Sequence, residues 1–218
     1  PLKWNPERQY KRGKVLTAEQ LDKLDRFGRY LDSDNDGIPY RTIPGTHPSK
    51  GSFFTRGSSH DEYAVYSEDS PTYVRIMDRL LKKFETAKSL VPAPHFYQKE
   101  NSSKNALLFF GTSTQSAEEA MDLFKEQGIE FDAIQLKAFP FNETVAEFIE
   151  AHETVFVIEQ NRDAQMRTLL VNELEVDPKK LKKVLNFDGT PITADFIVNQ
   201  ILSQLPKSYL KNKEAVAI

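Results

Sequence analysis

Three aspartates stand at alternate positions in the stretch LDSDNDGI, residues 31–38: Asp32, Asp34 and Asp36, with Gly37 behind them. Carboxylates spaced in this way before a glycine open the calcium loop of an EF-hand. That loop also needs a bidentate glutamate at its twelfth position and a helix leaving it, and the twelfth residue counted from Asp32 is Ile43. Pro39 and Pro44 forbid the exiting helix. The pattern is expected to be an Asp/Asn/Gly turn whose side chains bond nearby backbone, with a loose calcium site on Asp32, Asp34 and Asp36 as the alternative. A second group, Ser58-Ser59-His60-Asp61-Glu62, collects nucleophile, base and acid types. Neighbours in sequence seldom converge as a catalytic triad, so His60 is expected to be a loop hydrogen-bond donor rather than a proton donor to substrate.

Two further clusters sit where an α/β sheet would place ligands. Gly111-Thr-Ser-Thr-Gln115 follows an apolar run and precedes a helical one, so its amides could receive an anion. With one glycine and no lysine it fits neither the dinucleotide fingerprint nor the Walker pattern, and a hydroxyl cap is the plainer reading. Glu159-Gln160-Asn161-Arg162 follows the strongest strand signal, at the carboxyl edge where open sheets bind ligands. Polar capping of the next helix competes with that role.

The elements carrying these residues divide into two styles. Residues 1–16 are polar, contain two prolines and read as an extended arm. Thr17 with Gln20 makes a capping box, and Leu21, Leu24, Phe27 and Leu31 recur at helical spacing, which predicts a helix running to the aspartates. Residues 32–59 hold four glycines and three prolines and predict a long irregular segment. A second helix is expected after Ser70-Pro71, with Val74, Met77, Leu80, Leu81 and Phe84 as its apolar face. VPAPHFYQKENSSKN, residues 91–105, predicts a domain border. Beyond it, strands at 106–110, 129–136, 154–158 and 183–185 alternate with helices ending near Gly128, running from Asn142 through Ile149, from Ala164 to Leu174 and from Thr193 to Leu205. That alternation predicts an α/β fold, a three-layer parallel sheet with right-handed crossovers, preceded by a helical and irregular extension.

Composition narrows the function. The 218 residues are 39% hydrophobic and 28% charged with net charge −3, and the lysines are scattered, so no nucleic-acid partner is expected. No apolar run reaches a membrane span, so no membrane partner is expected either. There is no cysteine, which removes disulfides and thiolate-held clusters and accords with a cytoplasmic location. The chain opens PLKWNPE without an initiator methionine or secretory leader, and is read as a piece of a longer polypeptide.

DGIPYRTIPG (36–45), RGSSHDE (56–62) followed by an arginine- and lysine-bearing helix, FFGTS (109–113), AFPF (138–141) and VFVIEQNRDAQM (155–166) stand in one order and spacing. Together they resemble the C-terminal part of the α subunit of 2-oxoacid:ferredoxin oxidoreductases of the 2-oxoglutarate type, over nearly the whole chain. The resemblance implies a complex in which thiamine diphosphate and magnesium sit between a pyrimidine-binding domain and a β subunit that carries an iron–sulfur cluster. That complex decarboxylates a 2-oxoacid oxidatively, acylates coenzyme A and reduces ferredoxin. A motif resembling YPITPST, which marks the pyrimidine domain, is absent here. The chain is therefore expected to hold no cofactor and no metal itself and to be inactive alone. Residues 1–95 would be the extension and linker, and 96–218 the transketolase-C-terminal-like packing domain.

In the family pattern Gly111 and Ser113 match the turn after the first strand and Pro140 the turn after the second. Glu159, Asn161 and Gln165 match Glu-x-Asn-x-x-x-Gln after the third, with Ala164 where the family shows glycine. His60, Asp61 and Glu62 match a linker box assigned to inter-domain or inter-subunit contact before substrate, and Arg41 would be presented near the preceding domain. The competing reading is a stand-alone ligand-binding or regulatory α/β module with a calcium-bound loop.

Overall fold

The computed structural model describes residues 3–97 and 103–206; residues 98–102 of the expected border stretch lie outside the described residues. The chain divides into two compact units, 1–90 and 91–218.

The second unit is built on a five-stranded sheet. Its strands are β1 His95–Tyr97, β2 Asn105–Phe110, β3 Asp132–Leu136, β4 Thr154–Glu159 and β5 Leu181–Leu185, in the order β1-β3-β2-β4-β5. The last four are mutually parallel, as the alternating pattern requires, with Leu107 facing Phe156 of β4 and Ala133 of β3. β1 pairs antiparallel with β3, so the sheet is mixed rather than wholly parallel. Its three residues are too few to carry a period, which is why sequence reading passed over them.

Side chains alternate across the strands and separate two cores. Leu107, Phe109, Phe156 and Ile158 pack with Ala117, Ala120 and Phe124 of α3 (Thr114–Glu126) and with Ile197 and Ile201 of α6 (Ala194–Leu202). Leu108, Val155 and Val157 pack on the other face with Val145 and Ile149 of α4 (Glu143–Ala151) and Leu170 of α5 (Gln165–Leu174). The expected α/β three-layer arrangement is present. Tyr97 ties the edge strand to α3 through a 2.6 Å bond to Glu118, and burial together with that bond pushes its phenol up to about 12. His152 closes α4 against β3: its ring meets Asp132 at 3.0 Å and the Phe148 carbonyl at 2.6 Å.

The first unit is held differently. Among the large side chains of the described residues that are wholly buried, Leu21 alone belongs to it. Fully burying such a side chain contributes about 1.5–3 kcal/mol, so this unit must depend on polar contacts and close backbone approach. The first helix, α1, spans only Ala18–Asp22, and the helix predicted onward to Leu31 does not form. Thr17 makes its capping box as expected. The Lys50 ammonium then bonds the carbonyls of Leu21, Asp22 and Leu24 at 3.0–3.3 Å, and the Tyr30 amide bonds the Glu62 carbonyl at 2.9 Å. These long-range partners take the backbone groups that a continued helix would have used.

The long helix α2, Ser70–Ala87, begins on an Asp69 cap with proline in its first turn. Its buried residues are Thr72 and Ile76, whereas Val74, Leu81 and Phe84 of the predicted apolar face are exposed. The face that is engaged carries the aspartate loop. Thr86 Oγ1 bonds the Asp36 carbonyl at 2.6 Å, Arg79 Nη1 the Gly37 carbonyl at 3.0 Å, and Lys82 the Asn35 side chain. Gly37 has φ of +78°, and a Cβ there would stand 2.3 Å from the Lys83 nitrogen. Only glycine allows this loop to lie against the helix backbone.

Two alanine substitutions separate backbone strain from close approach. Gly45 has φ of +85° with open space around it, so Gly45→Ala should cost about 1 kcal/mol. Gly37→Ala adds the collision with α2 and should cost ~2–3 kcal/mol. The opening free energy of α2 amides in native-state hydrogen exchange reads both, and equal costs would mean that the loop is not seated on the helix.

Candidate functional site

In the second unit the candidate site forms at the carboxyl edge of β2 and β4. β2 ends at Phe110, and Gly111–Ser113 makes a short 3-10 turn into α3. Gly111 takes φ of +58° with nothing within 4 Å of the position a Cβ would occupy. Ser113 is buried under the turn, and Thr114 Oγ1 bonds back to the Gly111 carbonyl at 2.8 Å. Gln160 joins this turn to the next strand end. Its Nε2 donates to Thr112 Oγ1 at 2.8 Å and to Ser113 Oγ at 3.3 Å, and its Oε1 accepts from the Ile192 amide at 3.4 Å.

Glu159 is fully buried at the end of β4. Its carboxylate accepts from the Met166 amide at 2.8 Å, the Arg167 amide at 3.0 Å and Asn161 Nδ2 at 2.7 Å. The anion thus sits on the first turn of α5, where free amides and the helix dipole favour negative charge. Asn161 Oδ1 accepts in turn from the Asp163 and Gln165 amides at 3.1 and 3.2 Å. Gln165 offers its backbone to this network, and its side chain is exposed. Ala164 precedes it in the left-handed region with φ of +53°, which gives a physical reason for the glycine that the family pattern shows there. The turn before α4 is framed by Pro140, which follows a cis peptide bond from Phe139.

Glu159, Asn161 and the Gln165 amide are therefore brought together, with Gly111 and Ser113 held to them through Gln160. Sequence reading quoted Gln160 within its stretch but did not single it out. Its neighbours suggested capping, and only the fold shows that it spans two strand ends.

The remaining candidates lie in the first unit. His60 stacks on Tyr30 with ring centroids 3.9 Å apart, and its Nδ1 meets the Asp61 carbonyl at 3.0 Å. Asp61 Oδ1 accepts from the Tyr63 and Val65 amides, both at 2.9 Å, and so shapes its own turn. Glu62 accepts from Arg75 Nε at 3.1 Å. The box is thus one folded turn, in which Asp61 holds backbone while Glu62 faces α2. Arg41 does not join it: its guanidinium bonds the Arg12 carbonyl, and its backbone bridges to Val15 beside the arm.

The carboxylates of the aspartate loop are engaged by groups of the chain itself. Asp32 accepts the Asp36 and Gly37 amides, four and five residues on, at 3.0 and 2.9 Å, and Asp36 Oδ1 accepts the Ile38 amide at 2.9 Å, as an Asx turn does. Asp34 and Asp36 face the Lys14 ammonium at 2.7 and 2.6 Å. No group of three or more metal-ligating side chains exists among the described residues. The Lys14 bonds hold both carboxyls below the ordinary 3.8, and the two carboxylates together raise the ammonium although burial acts on it the other way.

Among the described residues no helix is long and apolar enough to cross a membrane. No family model matches the chain. Over 185 residues it is 26% identical to 2-oxoacid:ferredoxin oxidoreductase 2, subunit alpha, of Aeropyrum pernix, covering 83% of this chain and 27% of that protein. Over 201 residues it is 24% identical to the 2-oxoacid:ferredoxin oxidoreductase subunit alpha of Saccharolobus solfataricus, covering 90% of this chain and 30% of that one. The chain spans about a quarter of the length of these curated relatives. Its fold matches the 2-oxoglutarate:ferredoxin oxidoreductase of Magnetococcus marinus, solved with 2-oxoglutarate, coenzyme A and succinyl-CoA bound, at a TM-score of 0.72 and 19% identity. That match covers 84% of this chain and 31% of the other. The resemblance read from the motifs is borne out by these relatives.

Two measurements check the geometry. Glu159→Ala strands three donors at a buried helix start and should cost ~2–4 kcal/mol, seen as a lower denaturant midpoint with an unchanged slope. The second concerns pH. Because the folded carboxyls of Asp34 and Asp36 are depressed, their stabilisation is present above the ordinary value of 3.8 and is lost as pH falls through the folded values. Lys14→Met should flatten that acid limb of the stability curve.

Proposed function

We propose that this chain is the C-terminal part of the α subunit of a thiamine-diphosphate-dependent 2-oxoacid:ferredoxin oxidoreductase. The full complex would convert a 2-oxoacid, 2-oxoglutarate by the motif pattern, to its acyl-CoA and pass electrons to ferredoxin in the cytoplasm, with a β subunit as partner. The match to α subunits along 83% of the chain carries this reading. The ordered motifs ending in the Glu159-Asn161-Gln165 network support it.

The chain's own chemistry limits what it contributes. Iron–sulfur ligation needs thiolates, and there is no cysteine. Magnesium diphosphate needs oxygen ligands grouped on a cation, and the described residues present no such group. The residues present do not fit either group, so no catalytic step is routed through them. The assignment that follows is packing and assembly. Residues 1–95 would connect to a preceding pyrimidine-binding domain and 96–218 would form a transketolase-C-terminal-like domain. Arg41, His60, Asp61 and Glu62 would make inter-domain or inter-subunit contacts. The calcium-module alternative gains nothing from the loop, since Lys14 already pairs with both Asp34 and Asp36.

Full-length α subunit produced with its β partner should reduce a viologen dye only when a 2-oxoacid and coenzyme A are both present. Absence of that coupled reduction would sink the assignment. For the alternative, calcium is expected to leave the melting temperature unchanged, and a rise removed by Asp34→Ala would reinstate it.

A further inference from the structure

We propose that His60 docks the neighbouring domain or subunit of the assembled enzyme by accepting, at its ring Nε2, a hydrogen bond from an N–H or O–H donor there. This rests on the assembly role proposed above and adds the atom and the chemistry of the contact.

The histidines His47, His60 and His152 are used differently. His47 Nε2 meets Asp22 at 2.9 Å, while its Nδ1 accepts the Ser49 and Lys50 amides at 3.1 and 2.8 Å. His152 faces Asp132 with one nitrogen and the Phe148 carbonyl with the other. Each of these two rings spends both nitrogens inside the chain. His60 spends one, its Nδ1, which lies 3.0 Å from the Asp61 carbonyl. Its Nε2 makes no hydrogen bond among the described residues and is not sealed in the interior.

A carbonyl oxygen only accepts, so Nδ1 must carry the ring proton, and in the neutral imidazole Nε2 is left with its lone pair. The ring is held in this orientation. Its face stacks on Tyr30 with an interplanar angle of 24°, Phe53 meets the Tyr30 ring edge-on, and the Tyr30 amide bonds the Glu62 carbonyl. The carboxylates beside it are engaged, Asp61 in shaping the turn and Glu62 with Arg75. An acceptor fixed before contact loses little freedom on binding, which is what a docking point needs. Among the described residues no group of three or more metal-ligating side chains surrounds it, so a protein donor rather than a metal ion is the occupant.

Nitrogen-15 NMR of the chain at about pH 8, above the ordinary histidine range, should show one neutral tautomer with the proton on Nδ1. Loss of the signals in His60→Gln identifies them. Diethyl pyrocarbonate, which acylates an imidazole lone pair, should modify His60 in the chain alone. That modification, read by peptide mass, should slow about tenfold or more once full-length α subunit is assembled with its β partner. A proton on Nε2, or equal reactivity of His60 in chain and assembly, would overturn the proposal. So would protection that appears only when a 2-oxoacid or coenzyme A is added, since His60 would then meet a ligand. Failure of the family reading shows separately, as missing dye reduction, whereas failure of this proposal shows at His60 with that reduction intact.

Discussion

A parallel sheet delivers the starts of its helices to one edge, and at the end of β4 that edge depends on one buried carboxylate. Glu159 is the charge that α5 needs, and the amides of Met166 and Arg167 are the donors that Glu159 needs. Neither would be tolerable alone, since a buried unpaired carboxylate and orphaned helix amides each cost several kcal/mol or a large part of it. Once the pair is in place, Asn161 is oriented, the left-handed Ala164 is held, and Gln160 is free to reach across to Thr112 and Ser113. The carboxyl edge is thus organised by hydrogen bonding within the chain.

The first unit solves the opposite problem. It has little apolar mass to bury, so polar long-range bonds take over. Lys50 ends α1, Lys14 bridges two aspartates, and the cations of α2 grip a loop made close-fitting by Gly37. The exposed side chains Val74 and Leu81 on α2 are the counterpart of this design, because the helix turns its charged face toward its own chain. Arg79 is where the two demands meet. It clamps the loop through one nitrogen and leaves another buried without an acceptor.

These two styles suit the proposed place of the chain in a larger subunit. The sheet unit carries its own two cores and needs no outside element to complete them. The first unit keeps apolar and aromatic groups such as Phe54 and Leu90 exposed. A connecting segment that meets other domains has reason to be built in this way.

The alternation of apolar runs determined the four parallel strands of the sheet unit from sequence alone, because period two and period 3.6 are local properties of a buried chain, whereas the three-residue antiparallel β1 left no such signal. The three parallel crossovers and the edge that carries Glu159 and Asn161 were legible for that reason, and so was the failure of LDSDNDGI as an EF-hand, which needs only a count to Ile43. Tertiary structure decided what depends on partners far along the chain. Leu24, Phe27 and Leu31 have helical spacing, yet Lys50 and Glu62 claim the backbone and α1 stops at Asp22. Val74 and Leu81 look like a core face, yet the loop settles on the other side of α2. Gln160 spans two strand ends, and Lys14 reaches Asp34 and Asp36 across twenty residues or more. Periodicity records how a segment could bury itself, whereas a side-chain bond between distant segments exists only once the chain has folded.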